Sequence, residues 1–238
     1  MSAALDSIVS DSDREVSAVL FDWGGTLAAY LGEIPQQALF TAAHDVLPQR
    51  YCEQFAESIA VRVKRSWSQG TTVSDTIESL SAASASEVGL DVEDSCRFVD
   101  QYLKILAQDV HHVGAVKEVL KQINNRGLAT AMVCNTLWPA NWHDRLLERD
   151  GLLTLLRVRT YSSCTHIRKP NPEAFKYAAR QLDVDTRSCI FVGDRGDEDI
   201  DGAASVGMAT VWVRNHYSPP HLRRPDHIVA SISNLLSR

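Results

Sequence analysis

The 238-residue sequence contains no run of about 18 consecutive apolar residues, which is what a membrane-spanning helix requires. It has no excess of basic residues either: the net charge is −6, so there is no electrostatic footprint for a nucleic acid. Its five cysteines are scattered and form no C-x-x-C pair, which argues against a disulfide framework or a zinc site. We therefore expect a cytoplasmic protein with neither nucleic-acid nor membrane partners, and its oligomeric state stays open.

The N-terminal segment lacks the features of a signal peptide, because it has neither a basic stretch nor an apolar one. Serine and aspartate are frequent there, which predicts a disordered leader over residues 1–15. The whole chain is 45% hydrophobic and 23% charged, which is typical of globular proteins. Its length is sufficient for a large buried core.

The pattern of apolar residues differs between two parts of the chain after the leader. Over residues 33–109 they recur every three to four positions in four segments, which predicts an inserted bundle of four helices. Short apolar runs alternate with helical segments in residues 16–32 and 110–238, ending in a weak strand at Ile228-Val229 and a final helix. This alternation predicts a parallel sheet with helices on both faces. We expect an α/β fold: a Rossmann-like core with an all-α insert over the carboxyl edge of its sheet.

Polar residues follow four of the predicted strands, at the edge where open α/β proteins bind their ligands. Asp22 follows the first strand, and Gly24 and Gly25 permit a tight turn close to a ligand. The residues expected at the other three strand ends are Cys134, Asn135 and Thr136; Lys169; and Asp194 with Asp199. Two carboxylates and an ammonium group at one edge suit Mg²⁺ beside a phosphate.

Each of these residues taken singly has a structural explanation. Asp22 is explained as a loop or capping residue, and Lys169 as a surface lysine. Asp199 is expected at or near the cap of a helix over Asp199–Val206, where a carboxylate favours the helix dipole. Only their coincidence at one edge favours a functional site.

Four segments in order carry a family resemblance: F-D-W-G-G-T-L, C-N-T, K-P-N-P-E-A-F and V-G-D-R-G-D-E-D-I-D-G-A. Together they resemble the motifs of the haloacid dehalogenase superfamily of hydrolases, and the helical insert resembles that superfamily's C1-type cap. Single motifs of this kind are weak, but the ordered set is specific. The resemblance covers nearly the whole chain, from Val16 to Val213.

The resemblance implies a phosphatase acting on a small phosphorylated molecule, with Asp22 as a nucleophile that forms an aspartyl-phosphate. Lys169 would screen the charges of nucleophile and substrate, and the cap would close to exclude water. The residues that would hold Mg²⁺ are Asp22, Gly24 through its carbonyl, Asp194 and Asp199, the last either directly or through a metal-bound water.

The sequence departs from the family pattern at two positions. The superfamily's phosphatases usually carry a second aspartate two residues after the nucleophile, where this chain has Gly24. General acid–base catalysis is worth about 10²–10⁴-fold, so its loss would leave a slow enzyme that prefers good leaving groups. Cys134 stands where Ser or Thr is expected to bind the phosphate, and a thiol is a weak donor. Asn135 or Thr136 would then have to make that contact.

Two other functions remain open. A hydrolase of the same fold that cleaves a carbon–halogen or carbon–phosphorus bond needs no acid at Gly24. The carbon–phosphorus reaction also needs a lysine in the insert to form a Schiff base, for which Lys64 is a candidate. A non-catalytic binding or regulatory protein is the third reading, favoured by Gly24 and Cys134 together.

Overall fold

The computed structural model describes residues 15–29, 31, 33–68, 75–214 and 223–236. Except for Glu15, the predicted leader lies outside these residues. No helix within the described part of the chain is both long enough and apolar enough to cross a membrane.

Six parallel strands form the sheet that the described residues build, as the sequence predicts. They are β1 Ala18–Phe21, β2 Ala129–Cys134, β3 Val158–Tyr161, β4 Cys189–Gly193, β5 Ala209–Val213 and β6 His227–Val229. Their order is β3-β2-β1-β4-β5-β6, and every neighbouring pair is parallel. Because the strands run the same way, the residues that follow β1, β2 and β4 meet at one edge.

Both faces of the sheet are covered. Alternate residues of β1 point in opposite directions, so this strand contributes side chains to a core on each face. Val19 and Phe21 are buried in one apolar core, and Ala18 and Leu20 in another on the opposite face. Burying each such Val, Leu or Phe side chain contributes roughly 1.5–3 kcal/mol. The sheet is therefore fixed from both sides, and its carboxyl edge is a rigid base for the loops above it.

Helices surround the sheet in two groups. Between β1 and β2 lie α1 Ile34–Val46, α2 Gln49–Ser68, α3 Ile77–Val88 and α4 Val92–Asp109. The other helices among the described residues are α5 Val116–Asn125, α6 Ala140–Arg149, α7 Ser162–Thr165, α8 Pro172–Leu182 and α9 Asp201–Ser205. The first group falls within the predicted insert, residues 33–109, whose status as a separate cap domain stays a prediction.

Local sequence explains where several helices begin. Thr76 and Ser79 form a capping box at the start of α3, in which each side chain accepts a hydrogen bond from the other's backbone N–H. Asn171 caps α8, since its side chain accepts a hydrogen bond from the N–H of Glu173. Pro172 then occupies the first helical position, where no N–H is needed.

The predicted final helix is wrong, because residues Ile232–Leu235 form only a short 3₁₀ turn. Serine side chains bond one another here: the Oγ atoms of Ser231 and Ser233 lie 2.6 Å apart, and Ser231 Oγ donates to Asn234. Such local side-chain hydrogen bonds compete with a continuous helix. The weak strand predicted before it is confirmed as β6.

The chain passes from the sheet to the insert and back along two adjacent segments. The N–H of Ala29 donates to the carbonyl of His111 at 2.9 Å, and the N–H of Val113 donates to that of Leu27 at the same distance. Ala28 and His112 form an antiparallel bridge between these bonds. The two crossings are therefore held together by backbone hydrogen bonds beside the end of β1.

Side chains near α6 also tie the sheet region to the insert. The indole N–H of Trp138 donates to the hydroxyl of Tyr102 at 3.3 Å, and that of Trp142 donates to the carbonyl of Leu103 at 2.9 Å. Tyr102 and Leu103 belong to α4. The insert thus rests on the loop and helix that follow β2, on the same side as the predicted site.

Candidate active site

The loop after β1 places Asp22 at the carboxyl edge of the sheet. Its N–H donates to the carbonyl of Val192 at 2.9 Å, so pairing with β4 continues up to this residue. Gly25 then turns with a φ of +86°, and a Cβ on it would lie 2.3 Å from Oδ2 of Asp194. Glycine is required there by the backbone and by the close approach. Gly24 differs, because no described atom lies within 4 Å of where its Cβ would be.

The loop after β4 carries Asp194 and Asp199. The prediction that Asp199 lies at or near the cap of a helix is wrong. Asp199 lies inside a π-helix, Gly196–Ile200, that precedes α9. It is fully buried, and its Oδ2 accepts a hydrogen bond of 3.0 Å from the N–H of Arg195. A Cβ on Gly193 would lie 2.3 Å from the same oxygen, so glycine lets β4 pass close to Asp199. Single π-turns of this kind are frequent at functional sites.

Lys169 joins the two acidic loops. Its Nζ lies 2.6 Å from Oδ1 of Asp22 and 2.7 Å from Oδ1 of Asp199. The side chain is buried, with 2% of the residue exposed, so the explanation as a surface lysine is excluded. Residues 22, 169 and 199, far apart in sequence, therefore form one ion-paired group.

Asn135 holds the backbone of the lysine loop on both sides. Its Oδ1 accepts from the N–H of Lys169 at 2.8 Å, and its Nδ2 donates to the carbonyl of Lys169 at 2.9 Å and to Oε2 of Glu198 at 2.8 Å. All of these partners are protein groups. The geometry therefore favours a positioning role for the amide of Asn135 over the phosphate contact that the sequence predicts.

Three carboxylates at this edge fit a divalent cation. Asp22, Asp194 and Asp199 each offer an oxygen, and the three oxygens lie within 4.8 Å of one another. Oδ2 of Asp22 is buried and has no hydrogen-bond partner among the described residues. The ammonium group of Lys169 pairs with two of these carboxylates, those of Asp22 and Asp199. Three clustered carboxylate oxygens and a buried oxygen of Asp22 without a partner among the described residues match the preferences of Mg²⁺.

Burial and pairing shift the proton affinities of this group. Burial raises the pKa of Asp22 to about 7, against the opposing charge of Lys169. Burial lowers the pKa of Lys169, but Asp199 and Asp22 more than offset it, so the net shift is upward and the side chain stays an ammonium ion. A cation at Oδ2 of Asp22 would favour its ionised form.

The other two predicted phosphate contacts are turned into the protein. Cys134 is buried with its Sγ 3.6 Å from the carbonyl of Asn135, and burial raises the pKa of its thiol, which keeps it protonated. The hydroxyl of Thr136 lies 2.8 Å from Nε2 of His143 and accepts from the N–H of Trp138. These contacts do not favour a phosphate contact from the Thr136 side chain.

Directly beside Asp22, Trp23 lies at the centre of a second buried group. Its ring meets the edge of His143 at a centroid distance of 4.6 Å, and its indole N–H donates to Nε2 of His112 at 3.4 Å. Burial lowers the pKa of His143 to about 3, so this ring is neutral. We call the following residues the aromatic–histidine cluster: Trp23, His112, Trp138, Trp142 and His143.

Sequence reasoning missed two polar residues around the site. Ser162, at the end of β3, accepts from the N–H of Thr136 and donates to its carbonyl, which fixes the loop after β2. Arg168 directly precedes Lys169 and is buried. The position of Arg168 next to Lys169 in the sequence could have indicated a residue near the site. Its burial depends on contacts with the insert, which the local sequence does not reveal.

Comparison with known proteins gives matches along most of the chain. A family model described as haloacid dehalogenase-like hydrolase matches residues 16–207. The glyceraldehyde 3-phosphate phosphatase of Methanopyrus kandleri is 36% identical over 110 residues, which is 46% of this chain and 46% of that protein. The chain spans about half the length of this and the next curated relative that it matches. The phosphoglycolate phosphatase of Vibrio vulnificus is 24% identical over 94% of this chain and 96% of its own.

A solved structure shares the whole architecture. A HAD phosphatase from Thermococcus onnurineus superposes with a TM-score of 0.67 at 22% identity, and the superposition covers 92% of this chain and 96% of that one. At this identity the likeness establishes the fold and leaves the reaction to be argued from the side chains.

Proposed function

This chain belongs to the haloacid dehalogenase-like hydrolases, and on that premise we propose that it is a Mg²⁺-dependent phosphatase acting on small phosphomonoesters. One observation carries the proposal: Asp22 has a buried oxygen without a partner, beside Asp194, Asp199 and the ammonium group of Lys169. The names of the relatives, which are phosphatases of small phosphorylated compounds, support the same reaction class.

Asp22 has the role of the nucleophile. One carboxylate oxygen attacks phosphorus as the bond to the leaving oxygen breaks, and water then hydrolyses the aspartyl-phosphate to inorganic phosphate and free Asp22. Lys169 holds Asp22 in place and balances charge on the phosphoryl oxygens. The residues that would hold Mg²⁺ are Asp22, Gly24 through its carbonyl, Asp194 and Asp199. The bound ion supplies the positive charge that lets a phosphate approach three carboxylates.

Gly24 restricts the leaving group. Within the described part of the chain, no atom lies within 4 Å of where a Cβ on Gly24 would be, so none lies there that could protonate a departing alkoxide. Esters whose leaving group is stable without a proton are then hydrolysed fastest, which favours acyl phosphates, aryl phosphates and sugar 1-phosphates over alkyl esters. The same feature makes the enzyme slower than relatives with an aspartate at this position.

Access to the site requires movement. Asp22 is 7% exposed and Lys169 2%, so the structure represents a closed arrangement. The helical insert is the part of the chain that would open, pivoting at the two crossings beside Ala28 and His112. Closure over a bound phosphate would exclude bulk water from the reaction.

The alternatives have less support. Lys64, the candidate Schiff-base lysine for cleavage of a carbon–phosphorus bond, is exposed on α2. A carbon–halogen hydrolase without a metal has no use for the carboxylate group of Asp194 and Asp199 beside the nucleophile. A non-catalytic binding or regulatory protein would bear the desolvation of the ion-paired group without using its chemistry, since buried ion pairs are weak contributors to stability.

The proposal is tested with p-nitrophenyl phosphate and acetyl phosphate, in Mg²⁺ and in EDTA. We expect turnover only with Mg²⁺, and a loss of at least about 10³-fold in Asp22→Asn. Asp183→Asn is the matched control, because Asp183 is exposed after α8 with a φ of +60°, which Asn also adopts. Acid-quenched wild-type protein should carry a phosphoryl group by mass spectrometry. Turnover that is unchanged in Asp22→Asn would contradict the proposal.

A further inference from the structure

Arg168 lies at the contact between the sheet region and the helical insert. Its Nη1 donates to the carbonyl of Ser66 at 3.0 Å, near the end of α2. Its guanidinium carbon lies 4.7 Å from the ring centroid of Trp67, in cation–π geometry. Only 4% of the residue is exposed. Two residues of the insert therefore orient an arginine that directly precedes Lys169.

This buried guanidinium has few partners. Among the described residues it makes one side-chain hydrogen bond, to Ser66, and no carboxylate lies within 4 Å of it. Arg159 and Arg195 are more exposed, yet each pairs with an aspartate at 2.9 Å. A guanidinium has five N–H donors, and burying it without an anion is unfavourable. Among the described residues, the guanidinium of Arg168 is therefore a buried cation without a carboxylate in contact with it.

Arg168 is carried by the same loop as Lys169 and contacts the insert through its side chain. Burial lowers the pKa of Arg168, while the charges of Glu198 and Asp75 oppose this shift. Arg168 also influences the pKa of the buried thiol of Cys134, the last residue of β2, as do Asp22 and Lys169. Arg168 therefore connects the loop that carries Lys169 to the insert.

We propose that Arg168 is a specificity-determining residue that binds a second anionic group of the substrate, so that the enzyme acts on phosphorylated compounds that carry a further carboxylate or phosphate. The proposal rests on the proposed phosphatase function and narrows its substrate class. A carboxylate or phosphate oxygen pair matches the planar fork of the guanidinium, and the contacts with Ser66 and Trp67 fix that fork in one orientation. Substrate binding would supply the missing anion and hold the insert closed at the same point.

The test uses aryl phosphates with matched leaving groups. Phenyl phosphate has one anionic group, meta-carboxyphenyl phosphate adds a carboxylate, and meta-phenylene bisphosphate adds a phosphate. A charge-assisted pair is worth about 1.5–3 kcal/mol, so wild type should prefer one or both of the probes with a second anionic group over phenyl phosphate by roughly 10–100-fold in kcat/KM. Which probe is preferred identifies the second group.

Arg168→Gln should abolish this preference: kcat/KM for the probes with a second anionic group should fall until its ratio to that for phenyl phosphate is about one. Arg168→Lys keeps the positive charge but lacks the planar guanidinium, so it should retain only part of the preference. This variant provides the test if Arg168→Gln does not fold. Arg62→Gln is the control: Arg62 pairs with Glu87 on the insert, and its loss should change neither value.

The outcomes separate the two proposals. If wild type hydrolyses all three probes equally, or if Arg168→Gln lowers all three by the same factor, the specificity proposal is wrong while the phosphatase function stands. If wild type hydrolyses none of the three in Mg²⁺, the phosphatase function fails and the specificity proposal fails with it.

Discussion

Asp22 and Trp23 are neighbours in sequence, yet they lie in two buried groups built on opposite principles. The group around Asp22 is ion-paired: Lys169 pairs with two carboxylates, and one carboxylate oxygen has no partner within the described structure. The aromatic–histidine cluster around Trp23 contains neutral rings, and burial lowers the pKa of both of its histidines. Two consecutive residues of one loop thus belong to two different groups: Asp22 to the ion-paired group and Trp23 to the aromatic–histidine cluster.

The difference shows how a fold accommodates polar groups that it buries. In the aromatic–histidine cluster the rings are neutral: Nε2 of His143 is hydrogen-bonded to Thr136, and its Nδ1 is buried without a partner among the described residues. In the acidic group, buried ion pairs are retained at a cost in stability, as is common at functional sites. Under the proposed function, substitutions in the acidic group should therefore change activity and the response of stability to Mg²⁺, whereas those in the aromatic–histidine cluster should change stability without that response.

Lys169→Met should give the largest effect, because it leaves buried carboxylates without their counter-charge. We expect the free energy of unfolding in EDTA to fall by about 3–5 kcal/mol. Mg²⁺ should restore part of this loss, since a cation can balance the same carboxylates. Urea unfolding with and without Mg²⁺ measures both values. Lys176→Met removes an exposed pair with Glu173 and should change stability by less than about 1 kcal/mol. Equal losses in Mg²⁺ and EDTA would contradict the assignment of the metal site.

Gly24→Asp should raise the activity of the group around Asp22, which tests the catalytic side of the comparison. The open space above Gly24 accommodates a side chain, and the carboxyl group would supply the missing acid and base. We expect kcat for phenyl phosphate to rise by about 10²-fold, and that for p-nitrophenyl phosphate to rise less because its leaving group needs no proton. Gly24→Ala fills the space without an acid and should stay within about three-fold of wild type. An equal gain with both esters would argue against acid catalysis as its cause.

Acid should destabilise the aromatic–histidine cluster through His143. The folded pKa of about 3 lies below the ordinary value of 6.5, so below pH 6.5 the unfolded chain takes up a proton that the folded protein does not. Stability should therefore fall as pH decreases, by about 2 kcal/mol for this residue at pH 5. Comparing urea unfolding of wild type and His143→Gln at pH 7 and pH 5 isolates the contribution. Parallel pH dependences would show that His143 does not titrate as proposed.

Trp138→Phe should give the smallest effect, because it removes one hydrogen bond to Tyr102 while keeping most of the ring packing. We expect a loss of about 1 kcal/mol in the free energy of unfolding. A double-mutant cycle with Tyr102→Phe measures the pair directly, and additive losses would show that the hydrogen bond contributes nothing.

Much of the fold was predictable because its signals are local. Short apolar runs and helical segments gave the order of strands and helices, and the convergence of parallel strand ends brought Asp22, Lys169, Asp194 and Asp199 together as candidate site residues. Residue-level roles at this edge depend on side-chain direction. Asn135 is bonded to the backbone of Lys169, which is 34 positions away, and no local pattern predicts that contact.

The parts that sequence reasoning missed are formed by distant residues. Trp23 contacts His112 across 89 positions, and Arg168 contacts Ser66 across 102. The π-helix that contains Asp199 was also missed, because its sequence fits an ordinary α-helical start equally well. Tertiary packing decides all three.

The paired crossings between sheet and insert have a consequence for how such a protein can change. The backbone leaves the sheet region at Ala29 and returns at His111, and these two residues are joined by a hydrogen bond of 2.9 Å. Whatever lies between them begins and ends at almost the same place, so helices could be lengthened, shortened or exchanged there without altering the strand order. The edge that carries the candidate site and the helical insert can therefore change in sequence and length independently of each other.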